Sequence, residues 1–151
     1  MTSAVVDSSP LIHLGDVGRL ELLQRLFEVV EAPVAVVDEI QAKGDEDVAA
    51  RALTAAAWLK VVSTPEASAP LLAWDLGAGE TSVLTRALAQ PDTEAIIDDL
   101  AARRCAKAIR GARLWHSRVD SSSSSQRAPS RSGRSSQRIA ERRHVAGSQI
   151  V

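Results

Sequence analysis

The chain has 151 residues, of which 45% are apolar, chiefly Ala, Val and Leu. That is the length of one ordinary domain, with enough apolar material for a core. The single cysteine, Cys105, excludes an internal disulfide, and three Trp, one Phe and no Tyr argue against a protein that stacks bases on aromatic platforms. The net charge of −1 hides a division: residues 1–108 carry 9 Lys and Arg against 17 Asp and Glu, a balance of −8, whereas residues 109–151 carry 9 Arg against two acids, a balance of +7. No stretch reaches the length of a membrane span, and the N-terminus lacks the basic and apolar regions of a secretory signal. The expectation is a cytoplasmic protein with no membrane contact.

Ala4-Val5-Val6 predicts a short buried strand that delivers Asp7 at its carboxyl end. Ser9 reads as the N-cap of a following helix and Pro10 as its first residue, which needs no N–H donor. That helix stops near Gly15–Gly18. A second helix is expected over 19–26, with Leu20, Leu22, Leu23 and Leu26 as its apolar set, and a strand over 27–30. Pro33 opens a helix to about Lys43, closed by Gly44. The acidic Asp45-Glu46-Asp47 suits the start of a helix over 46–57. A strand over 58–62 and a loop over 63–70 follow. Leu71–Leu76 carries no decided pattern, a helical turn being one reading. A helix over 79–89, a brief strand at Ala95-Ile96-Ile97 and a helix over 100–109 complete the pattern. Strands alternate with helices throughout, so the predicted fold class is α/β with a central parallel sheet.

Periodicity ends near Ala108. Beyond it Ser, Arg and Gln dominate, with five consecutive serines at 121–125, and such a composition cannot bury enough surface to offset the entropy of ordering it. The expected organisation is a body over 1–109 and a Ser/Arg-rich tail over 110–151, disordered from about Ser117. The tail reads either as a nucleic-acid-binding arm or as translation in a shifted frame, and resequencing the 3′ end of the gene distinguishes the two.

Acidic residues stand at matching places along the body. Asp7 and the pair Asp98 and Asp99 each end a short apolar strand. Glu39 is flanked by Val36, Val37 and Ile40, beside an apolar stripe, and Glu80 shares a helix face with Val83, Leu84 and Ala87. Each also has an ordinary role: a turn for Asp7, a solvated flank for Glu39, a helix-dipole partner for Glu80, an N-cap for Asp98 or Asp99. Four converging carboxylates would repel one another unless a cation offsets them, and oxygen ligands without His or Cys point to Mg²⁺ or Mn²⁺ and away from Zn²⁺. Arg103 and Lys107 lie one turn apart, and with Arg104 they follow Asp99 on one helix. They suit the phosphates of a nucleic acid or, equally, a solvated face. His13 is expected to pack at a helix boundary, Cys105 to be core and not nucleophile, and Trp58 and Trp74 to be core.

Asp7-Ser8-Ser9-Pro10-Leu11-Ile12, Val37-Asp38-Glu39-Ile40, Leu76-Gly77-Ala78-Gly79-Glu80-Thr81 and Ile96-Ile97-Asp98-Asp99 with Ala102-Arg103 together resemble a PIN-domain protein. More narrowly, the Gly-Glu and Asp-Asp-x-x-Ala-Arg elements are similar to an uncharacterised prokaryotic PIN-like subfamily related to VapC-type toxin ribonucleases. The resemblance covers about residues 4–108. It implies a three-layer α/β/α fold and a metal-dependent ribonuclease, plausibly the toxin of a toxin–antitoxin pair. RNA would be its substrate, an antitoxin its partner, and a homodimer its assembly. It also implies catalytic and metal-binding roles for Asp7, Glu39, Glu80 and Asp99, with Asp98 sharing the last role as a metal ligand, and a supporting hydroxyl at Ser9. In this chain Glu80 stands where most of the wider family has Asp. The family's last strand and helix should follow Ala108, and the glycine-rich element expected there is reduced to Arg110-Gly111-Ala112-Arg113, so the last strand is expected to be missing or altered. The alternative is a truncated, non-catalytic module that binds nucleic acid or protein.

Overall fold

The structure, a computed structural model, describes residues 2–109 and 112–115. Five strands, β1 (Ser3–Val6), β2 (Val29–Pro33), β3 (Lys60–Val62), β4 (Thr93–Ile96) and β5 (Arg113–Leu114), form one sheet in the order β3-β2-β1-β4-β5, with every neighbouring pair parallel. Seven helices join them among the described residues: α1 (Ser8–Asp16), α2 (Glu21–Leu26), α3 (Val34–Gln41), α4 (Val48–Ala55), α5 (Ala69–Leu72), α6 (Ala78–Ala89) and α7 (Leu100–Ala108). This is the α/β architecture with a central parallel sheet that the alternation of patterns implied.

The strand order follows from burial. Ala4, Val5 and Val6 of β1 have no exposed surface, as a strand covered on both faces at the centre of a parallel sheet requires. The chain builds outward from β1 to β2 and β3, then returns past it to lay β4 and β5 on the other side. The connections therefore diverge between β1 and β4, and in open α/β sheets the crevice at that point, outside the carboxyl ends of the strands, is where ligands bind.

Several boundaries differ from the sequence expectation. Asp7, in extended conformation, is the N-cap of α1, and Ser9 lies inside the helix. Strand β2 starts two residues later than expected, because its ladder with β1 begins at Ser3 and Val29, while Phe27 ends α2 and turns its ring to Trp115. Pro33 closes β2 and caps α3; its fixed φ of −61° suits both the end of a strand and the entry to a helix. Leu71 falls in the one-turn helix α5. The last strand was expected to be missing or altered. The sheet does carry a fifth strand, reduced to two residues and lying beyond the expected body boundary at residue 109. Trp115 extends that edge by donating its N–H to the Ala95 carbonyl at 3.0 Å. The expected disorder from Ser117 and the two readings of the tail lie outside the described residues.

Helices α1 and α4 approach closely at one point, where a Cβ on Gly15 would stand 3.0 Å from Ala49 Cα. A side chain there would be tight against the facing backbone, which would have to give by a few tenths of an ångström. Helix α6 packs against β1, β2, β4 and α3 through Val83, Leu84 and Ala87, which brings its N-terminus to the carboxyl ends of the central strands.

Candidate active site

Asp7 is the first residue after β1. Its N–H donates to the Ile96 carbonyl at 3.0 Å, so the ladder between the two strands that border the crevice runs on to the carboxylate itself. Asp7 is 1% exposed, and its Oδ1 has no hydrogen-bond partner among the described residues. A buried carboxylate oxygen left without a partner is costly. Burial is the largest influence on its titration and pushes its pKa up from 3.8 to about 6; a backbone hydrogen bond at Ser8 works the other way, and the charges of Glu80, Glu39 and Asp99 push it up further.

Glu39 comes from α3, which begins directly at the carboxyl end of β2. It is exposed, yet its Oε1 accepts the Ser8 hydroxyl at 3.1 Å. The resemblance assigned the supporting hydroxyl to Ser9; the hydroxyl bonded to an acidic site residue belongs to Ser8, which is buried, whereas Ser9 is half-buried. The first turn of α1 decides this, because Asp7 as N-cap puts residue 8 toward α3.

Gly79 stands in the Gly-Glu element that carries the resemblance, which gives it no role of its own. A Cβ there would lie 3.1 Å from Glu39 Oε2 and 3.2 Å from Asp7 Oδ1. The missing side chain therefore leaves a gap into which both carboxylates point. Its signal in the sequence is adjacency to Glu80 in Gly77-Ala78-Gly79-Glu80, but a glycine at the start of a helix has many uses. Glu80 is half-buried in the first turn of α6, and its Oε2 lies so close over Gly77 that a Cβ on that residue would strike it. Its carboxylate is turned toward the helix start, where the dipole favours a negative charge.

Asp99 is exposed and caps α7, with Oδ1 accepting the Ala102 N–H at 2.8 Å. Its ordinary role as an N-cap is realised, while its charge still acts on Asp7. Asp98 is exposed, takes no part in that cap, and is not among the charges acting on Asp7.

Among the described residues, no three His, Cys, Asp or Glu side chains stand close enough to enclose an ion in the conformation adopted. The fit to a cation is one of donor type and space: an orphaned buried oxygen on Asp7, a gap shared with Glu39 that a Cβ would fill, and donors that are all hard oxygens.

Residues 3–110 match the family DUF3368, described as a PIN domain. The chain belongs to this PIN-domain family. Its fold is also similar to the solved structure of the PIN domain endonuclease Utp24, with a TM-score of 0.53 and 11% identity over 73% of this chain and 80% of that one. Comparison with curated proteins gives no match.

The PIN domain carries a basic flank beside Asp99. Arg103 is half-buried, Arg104 and Lys107 are exposed, and no ion pair engages any of them among the described residues. Cys105 is fully buried and burial pushes its thiol up, as expected of a core residue with no nucleophilic task. Trp58 packs half-buried against the core. Two expectations are corrected: Trp74 is 38% exposed, because α5 ends just before it and leaves it in a loop, and His13 is exposed in the last turn of α1, not packed. No helix among the described residues is long and apolar enough to cross a membrane.

Proposed function

We propose that this PIN domain is a metal-dependent ribonuclease that hydrolyses RNA phosphodiester bonds with Mg²⁺ or Mn²⁺. The observation that carries the reading is the buried, unpartnered Oδ1 of Asp7, facing with Glu39 into the gap left by Gly79 at the divergence of β1 and β4. Asp7, Glu39, Glu80 and Asp99 would hold the cation, with Asp98 at its margin. When bound, such a cation lowers the pKa of a water to make a nucleophile and neutralises charge on the phosphate. The chain's own residues do the rest. Asp7 is fixed by the β1–β4 ladder, Ser8 orients Glu39, and Gly79 keeps the space open. Arg103, Arg104 and Lys107 would hold the RNA backbone beside Asp99.

The similarity to a subfamily related to VapC-type toxins supports a narrower reading as the toxin of a toxin–antitoxin pair, acting in the cytoplasm, held by an antitoxin and active as a homodimer. Co-purification of an antitoxin with a tagged chain and sedimentation of the isolated protein test these two points.

The test of the activity is cleavage of a mixed-sequence RNA by the purified chain with Mn²⁺, with EDTA, and with Asp7→Asn. Cleavage that needs Mn²⁺ and is lost in the variant is expected. Equal cleavage by Asp7→Asn would sink the proposal. If the folded chain instead retains RNA without metal and without cleaving it, it is the non-catalytic binding module.

A further inference from the structure

Resting on that reading of the acidic site, we infer that the Glu31–Arg86 ion pair is a positioning pair. It fixes where α6 stands on β2, and so holds Gly79 and Glu80 in place against Asp7 and Glu39.

Glu31 lies in the middle of β2, registered with Val5 on one side and Lys60 on the other, and is buried although charged. Arg86 reaches it from α6 with both arms of its fork, Nε to Oε2 at 2.8 Å and Nη2 to Oε1 at 2.9 Å. The side chains are only 22% and 11% exposed. The other two ion pairs among the described residues, Arg19–Glu21 at 3.7 Å and Arg113–Glu94 at 3.9 Å, are looser and more exposed. A bidentate Arg–carboxylate pair fixes direction as well as distance.

Both ends of the pair lead to the site. Strand β2 ends at Pro33 and continues as α3, which carries Glu39. Arg86 lies six residues after Glu80 on the same helix, roughly 9 Å along its axis. Nearer the site, among the described residues, the directional contacts of α6 run to the loop before it and not to the sheet: Thr81 donates its N–H to the Gly77 carbonyl at 3.0 Å and its hydroxyl to the Leu76 carbonyl at 3.5 Å, while the packing residues Val83, Leu84 and Ala87 make non-directional apolar contacts that permit small slides. The gap at Gly79 is bounded to a few tenths of an ångström, since a Cβ there would already be tight against both carboxylates. A buried pair is not the strongest way to stabilise this packing, because apolar residues of similar volume usually serve as well. What the pair adds is a fixed register between the two elements that bring Glu39 and Glu80.

The test separates register from stability. The double variant Glu31→Leu/Arg86→Met removes both charges and leaves neither buried alone; Arg86→Lys keeps the charge and loses the fork. Mn²⁺ affinity is measured by the electron paramagnetic resonance of free Mn²⁺, well below each variant's unfolding temperature. Amide exchange of Thr81 and Ser82 is followed in metal-free protein. The double variant is expected to fold with an unfolding temperature near that of the wild type, to bind Mn²⁺ about tenfold more weakly, and to exchange faster at Thr81 and Ser82. Arg86→Lys is expected to fall between the two. Mn²⁺ affinity within twofold of wild type in both variants overturns the inference, because a merely structural pair would alter only the unfolding temperature. If the wild type itself binds no Mn²⁺, the nuclease reading fails on its own, and exchange decides the positioning: unchanged rates at Thr81 and Ser82 overturn it.

Discussion

At Asp7, stability and function pull in opposite directions. A carboxyl whose pKa is pushed up to about 6 by burial favours its protonated form in the folded state. The sign follows from linkage: the fold binds this proton more tightly than the unfolded chain does, so the contribution of Asp7 is fully present below pH 4 and is lost as pH rises through about 6. The displacement from 3.8 corresponds to about 3 kcal/mol at neutral pH. Asp7→Asn is therefore expected to be more stable than wild type at pH 7 in metal-free buffer, and no more stable at pH 4. Urea unfolding at the two values checks this, and identical pH profiles for the two proteins would refute it. Gly79→Ala gives a second residue-scale prediction. Helix propensity favours Ala by about 1 kcal/mol, yet its methyl group would sit tight against both Asp7 and Glu39. The variant is expected to keep its fold and bind Mn²⁺ at least tenfold more weakly, read by calorimetry; unchanged affinity would mean that the gap is not the site. Of these residues Asp7 and Asp99 stand in the sequence at strand ends and Glu39 and Glu80 beside apolar helix stripes, and it is the family resemblance that groups them. Ser8 and Gly79 lie inside the motifs that carry the resemblance, but nothing in the sequence singles out either one. Which of two adjacent serines faces α3 depends on the cap, and a glycine's importance lies in what surrounds it.

Among the elements, α7 joins two roles. Asp99 caps it, and Arg103, Arg104 and Lys107 follow with no acidic partner among the described residues. If these cations hold RNA, Arg103→Ala/Lys107→Ala is expected to weaken RNA binding by Asp7→Asn protein at low salt. The plot of log affinity against log salt should flatten by about 2, one for each phosphate no longer neutralised. A slope that does not change would leave α7 as a solvated face. Elsewhere the helical periods were readable but their faces only partly so. In α2 the expected apolar set divides: Leu20, just before the helix, and Leu23 are buried, while Leu22 and Leu26 are 38% and 55% exposed. Periodicity shows that a stripe exists, but how much of it is covered depends on what packs opposite.

For the whole molecule, β5 forms one edge of the open sheet, with β3 at the other. Strand β5 has two residues, and the ring of Trp115 just beyond it meets Phe27 edge-on with centroids 6.4 Å apart. Trp115 thus ties the last strand of the sheet to the start of the segment leading into β2. Trp115→Ala removes that ring pair and half-buried apolar surface, an expected loss of about 1–2 kcal/mol. For a domain of this size the unfolding temperature should drop by roughly 5–10 °C. Calorimetry tests this, and no change would show that the sheet is complete without its last residues.

The sequence by itself determined the α/β class, the chain order of the first four strands with their helices, and the buried strand leading to Asp7. These are set by local propensity and hydrophobic period, which a linear chain displays directly. The fifth strand was hidden because two residues carry no period; only pairing with Glu94 and Ala95 makes Arg113 and Leu114 a strand. The Ser8–Glu39 bond, the gap at Gly79 and the Glu31–Arg86 pair join residues 31 to 72 positions apart in the chain. Such contacts exist only when the sheet has set β1, β2 and α6 side by side, so tertiary structure alone decided them.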